Sequence, residues 1–110
     1  MWTITTRGFY SVVAHRTKPD TVLVRGRVRD DIEALGDLIP DLEVFEDGHA
    51  DYRWRAIVPK ADWLAALNTM ADEVDYDNFK NAVAKRQGSE RAHLYHDVWS
   101  VLYRLQGDLV

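Results

Sequence analysis

The sequence predicts an α+β fold: a four-stranded, mostly antiparallel sheet of permuted ferredoxin-like topology, β-β-α-β-β-α, followed by two C-terminal helices. Two observations predict it. Residues 1–58 hold short β-branched or alternating segments and one helical segment, whereas residues 59–106 place apolar residues at helical spacing. With 110 residues, 46% of them hydrophobic, the chain can build one core. We therefore predict a single domain over residues 1–110.

The chain begins with strands. Trp2 to Thr6 predicts a short extra strand or an extended lead-in. The β-formers of Phe9 to Arg16 and the alternating residues of Thr21 to Arg29 flank a turn, Thr17-Lys18-Pro19-Asp20. These two segments therefore predict a β-hairpin.

One helix and two further strands complete the first half. Asp30 or Asp31 can cap a helix that Pro40 ends, and Leu42 to Glu46 and Asp51 to Val58 read as strands. The helix is predicted from the apolar residues Ile32, Leu35, Leu38 and Ile39.

The second half predicts three helices. Gly88 is placed to end the second of them, Asp75 or Asp77 to cap it, and Ser89 to cap the last. The apolar stripes are Trp63, Leu64, Leu67, Met70, Ala71 and Val74 in the first helix, Phe79, Ala82 and Val83 in the second, and Leu94, Val98, Val101, Leu102 and Leu105 in the last, where Tyr95, Trp99 and Tyr103 widen the stripe.

Arginine stands at every second residue of two strand segments, Val24–Arg29 and Tyr52–Arg55. Because side chains alternate along a strand, each segment predicts a cationic row on one face and a packing row on the other. A right-handed crossover would set the two strands side by side and parallel. An antiparallel meander with helices on one side is the alternative. The candidate binding residues are Arg25, Arg27, Arg53 and Arg55, with Phe45 on the same face.

The positive charges of this face must be neutralised by negative groups of the same chain or of a partner. Glu43 is expected to share the face and to pair with Arg53 or Arg55, which would make the arginines structural. Otherwise the face binds a partner. The leading hypothesis is a non-catalytic interaction protein that binds a protein partner through the arginine face or a sheet edge. The alternative is a nucleic-acid-binding domain that places the same face on phosphates.

Two features weaken the nucleic-acid hypothesis. The formal net charge is −4, which disfavours binding by bulk charge. Tyr52 and Trp54 alternate with the arginines and are expected on the core side, together with Trp63 and Trp99, so few aromatic rings would be available for stacking on bases. Trp2 and Phe9, if exposed, could anchor a partner or a homodimer by sheet extension.

The sequence predicts no catalytic residue, metal site or cofactor. It contains no cysteine, no Gly-x-Ser-x-Gly or His-Glu-x-x-His motif and no phosphate-binding glycine loop. A small enzyme with a site on the last helix is the third hypothesis, because Glu90, His93 and Asp97 share one side of that helix. No apolar run is long enough for a membrane span, so we expect no membrane association and a cytoplasmic location.

Five segments of the chain carry a resemblance: Gly8–Val13, Val24–Arg29, Asp51–Arg55, Asp75–Lys80 and His93–Trp99. Together they resemble a family of small uncharacterised bacterial and bacteriophage proteins. The resemblance implies a stand-alone protein that inhibits or redirects a host component, by analogy only. It implies no activity, cofactor or catalytic residue.

Overall fold

A computed structural model describes residues 1–107, which fall into two compact units. The first comprises residues 1–75 and the second begins at Tyr76.

The first unit is a five-stranded sheet with two helices. The strand order is β1-β2-β3-β5-β4, and every neighbouring pair is antiparallel. The strands are β1 (Trp2–Ile4), β2 (Phe9–Ala14), β3 (Thr21–Gly26), β4 (Phe45–Glu46) and β5 (Trp54–Pro59); the helices are α1 (Arg29–Glu33), continued by a 3₁₀ turn (Ala34–Asp37), and α2 (Lys60–Asp72).

The α+β class and the mostly antiparallel sheet are confirmed, and the topology departs from the prediction in two ways. The segment at Trp2 is a fifth strand, so the four-stranded permuted ferredoxin-like sheet is not reproduced exactly. The two arginine strands, β3 and β5, are neighbours but antiparallel, so the parallel pairing was wrong. The reason is that the chain leaves α1 for the far edge, forms β4 there and returns by a hairpin.

One face of the sheet and the two helices form the core. Burying a Val, Leu, Ile, Phe or Met side chain stabilises a fold by about 1.5–3 kcal/mol. The apolar face of the sheet is therefore held against α1 and α2. Of the predicted α2 stripe, Leu64 and Val74 are exposed. The buried cluster comprises Tyr10, Val12, Val22, Val24, Ala56 and Val58 from the sheet with Ile32, Leu35, Ile39, Trp63, Ala66 and Met70 from the helices.

The start of α1 is fastened to β2 by a buried carboxylate. Asp31 does not cap α1, whose N-cap is Val28, and neither does Asp30. Instead, Asp31 Oδ2 accepts the backbone N–H of Phe9 at 3.0 Å. A Cβ on Gly8 would lie 2.6 Å from Cγ of Asp31, so only glycine leaves room for this contact.

A second fastening joins the β1–β2 loop to the end of α2. Arg7 donates from Nε and Nη2 to the two carboxylate oxygens of Glu73, at 2.9 and 2.6 Å, and from Nη1 to the Ala34 carbonyl at 3.3 Å. The Arg7 side chain is 9% exposed. The hydrogen bond to Glu73 raises the pKa of Arg7 against the opposing effect of burial. The positive charge of Arg7 is therefore neutralised within the chain, and Arg7 has a structural role.

The second unit is a helical hairpin of α3 (Phe79–Gln87) and α4 (Ser89–Leu102), continued by a 3₁₀ turn (Tyr103–Gln106). Gly88 ends α3 with φ +98°, as predicted. The cap of α3 is Asn78, whose side chain accepts the N–H of Asn81, and not Asp75 or Asp77. Ser89 is the first residue of α4 and makes no cap.

Aromatic stacking organises the hairpin. The rings of Phe79 on α3 and Tyr95 on α4 stack at 6.0 Å. Trp99 is exposed, between the rings of His96 and Tyr103 at 5.4 Å each. The core position predicted for Trp99 was therefore wrong, because Tyr95 and not Trp99 takes the buried place on α4. Within residues 1–107, no helix has the length and apolar character needed to cross a bilayer.

Candidate binding face

The sheet face opposite the helices carries one continuous row of five residues, one from each strand. The register pairs Trp2 with Ser11, Ser11 with Arg25, Arg25 with Arg55, and Arg55 with Phe45. Directly opposed residues point to the same face, and neighbouring strands lie about 4.8 Å apart, so this arginine row spans about 19 Å. An exposed aromatic residue stands at each end: Trp2, which is 72% exposed, and Phe45.

A second row lies two residues along each strand. Val13, Leu23 and Ile57 are aligned by register on the same face. Val13 and Ile57 are exposed and Leu23 is half-buried. Thus an apolar row borders the arginine row, and the face offers both guanidinium groups and aliphatic surface.

Three arginines converge on the loop that enters β5. Arg25 and Arg27 lie over the ring of Tyr52, with the guanidinium carbons 4.8 and 4.4 Å from its centroid. Arg27 Nη1 donates to the Asp51 carbonyl at 2.8 Å, and Arg55 Nε donates to the Tyr52 carbonyl at 3.0 Å. Cation–π contact and backbone carbonyls therefore position these arginines.

The position of Tyr52 corrects the prediction that it points to the core. Its side chain is only 5% exposed, but it is not part of the core cluster and its ring packs against Phe9 at a centroid distance of 6.4 Å. Strand β5 begins at Trp54, so the alternation of a strand does not extend back to Tyr52. Trp54 itself does pack against the core.

The charges of this site are not balanced. Arg25 bonds to Ser11, with Nη2 2.7 Å from Oγ, and Arg55 has Asp51 Oδ1 at 4.0 Å. Within residues 1–107, that Asp51 carboxylate is the one acidic group within 4 Å of Arg25, Arg27 or Arg55. The cluster of three cations therefore has one neighbouring carboxylate, and it lies beside Arg55. Neighbouring like charges destabilise a sheet, so the cluster is an electrostatic cost to the isolated fold.

Arg53 stands apart from the other three arginines. It pairs with Glu46, Nε to Oε1 at 2.6 Å, and both side chains are well exposed. The predicted partner, Glu43, lies before β4 in the loop and pairs with neither Arg53 nor Arg55. The four-arginine cluster is thus a cluster of three, because Arg53 precedes β5 and does not continue its alternation.

Sequence reasoning missed Tyr52 and the apolar row. The signal for the row was available: Leu23 and Ile57 interleave with core residues, so these strands are apolar on both faces. No comparable signal existed for Tyr52, whose position depends on where β5 begins.

The last helix carries no metal cluster in the part of the chain that the structure describes. No group of three or more His, Asp or Glu side chains is placed to hold an ion there. Glu90, His93 and Asp97 are all exposed and line a shallow depression on α4.

Comparisons of the chain with protein-family models, with curated proteins and with solved structures found no match. The resemblance to small bacterial and bacteriophage proteins stays a prediction. The case for a function rests on the geometry of the sheet face.

Proposed function

We propose that the sheet unit is a non-catalytic binding module whose open face binds a segment of another protein that carries acidic residues beside apolar ones. The observation on which this rests is the pairing of Arg25 with Arg55. They are direct cross-strand neighbours, and within residues 1–107 only Arg55, of the cluster Arg25, Arg27 and Arg55, has a carboxylate within 4 Å, that of Asp51. An acidic partner segment would supply the missing negative charge.

Partial burial makes the unneutralised charges of Arg25 and Arg55 costly to the fold. The Arg55 side chain is only 16% exposed and Arg25 is half-buried, so neither charge is freely hydrated. Screening by water and salt is weaker for such groups than for exposed ones. Each guanidinium nevertheless uses only some of its five donors within the chain. The remaining donors can form the two-pronged bonds to a carboxylate that arginine favours.

The composition of the face suits a protein partner. Tryptophan, tyrosine and arginine supply most binding energy at protein interfaces, where they are surrounded by side chains that exclude water. The arginine row, flanked by Trp2 and Phe45, has this composition, and Val13, Leu23 and Ile57 add the aliphatic border. A partner segment with aliphatic residues next to Asp or Glu would match both rows at once.

Nucleic acid is the weaker ligand for this face. Residues 1–75 contain nine Lys and Arg and fourteen Asp and Glu, a formal net charge of −5 that repels a polyanion at long range. Tyr52, the ring nearest the arginines, is buried under Arg25 and Arg27 and cannot stack on a base. The two exposed rings stand at opposite ends of the row.

The proposal is tested by phage display: short random peptides that bind the immobilised protein are enriched and sequenced. We expect the enriched sequences to place Asp or Glu beside aliphatic or aromatic residues. A selected peptide is then synthesised and titrated by fluorescence anisotropy. The double variant Arg25→Ala/Arg55→Ala should weaken its binding by about ten- to a hundredfold.

The matched control is Arg16→Ala, which removes an exposed arginine that follows β2 and should leave the affinity unchanged. The charge-preserving variant Arg25→Lys/Arg55→Lys should lose an intermediate part of the affinity, because lysine lacks the planar fork. Binding unaffected by the double alanine variant would contradict the proposal. So would tighter binding of single-stranded oligo-dT or oligo-U that the same variant abolishes.

A further inference from the structure

Helix α4 carries an apolar stripe that its own hairpin leaves exposed. Leu94, Val101, Leu102 and Leu105 are between 54% and 85% exposed, and Val98 is half-buried. The sequence predicts this stripe as one apolar face of the last helix. Exposed aliphatic side chains in a continuous stripe are the mark of an interaction surface.

The partner helix α3 occupies a different side of α4. The two helices are in contact through Tyr95, which stacks on Phe79, and through His96 and Trp99, which both contact Lys80 of α3. Tyr95 lies about 100° around the helix from Leu94, at the spacing of an α-helix. The stripe is therefore a separate face and not the seam of the hairpin.

The stripe has the spacing of a coiled-coil seam. Leu94, Val98, Val101 and Leu105 follow steps of four, three and four residues, the alternation of d and a positions in a heptad. Leu94, Val98 and Val101 lie in α4, and Leu105 lies in the 3₁₀ turn that continues it. Such a seam is buried against one other helix with matching spacing.

The charges beside the seam specify how that helix runs. Asp97 in α4 and Arg104 in the 3₁₀ turn that continues it are seven residues apart, the spacing of successive g positions on one side of the seam. Both are exposed, and within residues 1–107 neither makes an ion pair. When two such helices pair antiparallel, with Val98 opposite Val101 of the second copy, the g position of one copy faces that of the other. Asp97 then faces Arg104 of the second copy, and the reverse contact follows from the two-fold symmetry.

We infer that α4 pairs antiparallel with α4 of a second copy of this chain, forming a two-fold homodimer. A closed dimer of this kind requires a self-complementary patch. If residue i of one copy contacts residue j of the other, then residue j of the first copy contacts residue i of the second. The seam layers Leu94–Leu105 and Val98–Val101 and the pair Asp97–Arg104 each meet that requirement. A parallel pairing would set Asp97 beside Leu102 of the second copy and leave both charges without a partner.

The size of the surface bounds the affinity. Helix α4 has 14 residues and is therefore about 21 Å long. One helix face of this length makes a small interface, at the weak end of specific protein association. We expect a dissociation constant in the micromolar range.

The test is sedimentation equilibrium of the full chain from low micromolar to millimolar concentration. We expect a monomer–dimer equilibrium. Asp97→Arg or Arg104→Asp alone should raise the dissociation constant about tenfold, since each replaces two attractions with two repulsions. The double variant Asp97→Arg/Arg104→Asp should restore the original value, because it reverses every pair.

Two further variants control the experiment. Glu90→Arg changes the charge as Asp97→Arg does, but in the antiparallel register it lies beyond the paired stretch, so dimerisation should be unaffected. Val101→Asp should abolish the dimer without loss of helical circular dichroism, since Val101 is exposed. A monomer at every concentration would overturn the inference, as would a dimer that the double reversal fails to restore. Both outcomes are independent of peptide binding by the sheet face.

Discussion

Arg7 and Arg25 show two ways in which this fold accommodates a partly buried arginine. Arg7 meets both oxygens of Glu73 and a backbone carbonyl, so its charge is neutralised within the chain. Arg25 meets a serine, a tyrosine ring and a second arginine across the strand. The first arrangement stabilises the fold. The second arrangement leaves the positive charge of Arg25 without a neutralising carboxylate. Such a charge is typical of a residue that binds an anionic group. The chain can thus place a carboxylate opposite an arginine, and within residues 1–107 it places none within 4 Å of Arg25.

The largest expected effect is at the neutralised site. Arg7→Ala removes two hydrogen bonds to Glu73 and one to the Ala34 carbonyl, all from a buried side chain, and we expect the free energy of unfolding to fall by about 3 kcal/mol. Urea denaturation followed by circular dichroism measures it. The control Arg16→Ala should change stability by less than about 0.5 kcal/mol. Equal losses for the two variants would remove the distinction between a neutralised and an ordinary surface arginine.

An intermediate effect is expected at Tyr52, which takes the place of a carboxylate beneath Arg25 and Arg27. Tyr52→Ala removes a buried ring together with its contact to Phe9, and should cost about 2 kcal/mol. Tyr52→Phe keeps the ring and should cost less than about 0.5 kcal/mol, measured by the same denaturation. A large loss for the phenylalanine variant would mean that the hydroxyl, and not the ring, supports the arginines.

The smallest change in stability is expected at Arg25, and it distinguishes this residue most clearly from Arg7. Arg25→Met keeps the aliphatic length and removes one of two opposed cations, so we expect stability at low salt to be unchanged or to rise by up to about 0.5 kcal/mol. Any gain should shrink in high salt, where the repulsion in the parent protein is screened. Thermal unfolding at two salt concentrations measures this. If the methionine variant lost as much stability as Arg7→Ala, Arg25 would be a structural residue.

The sequence was sufficient to predict the adjacency of β3 and β5 and the cationic character of their shared face. It was not sufficient for their direction, which depends on β4 being the two-residue start of a hairpin at the sheet edge. Tyr52 was misplaced for a related reason: strand alternation holds only from Trp54 onward. The α4 stripe was recognised as apolar, but spacing cannot tell whether such a stripe is covered by the same chain or by another.

The two edge strands are short: β1 has three residues and β4 has two. Edges of this length offer few free backbone groups for pairing with another strand. Recognition along an edge relies on main-chain bonds that almost any sequence can supply. Recognition across the arginine row would rely on side chains alone, and those side chains lie outside the core cluster. The preference of this face for one partner over another could therefore change by single substitutions while the fold stays the same, so binding specificity and stability can evolve separately.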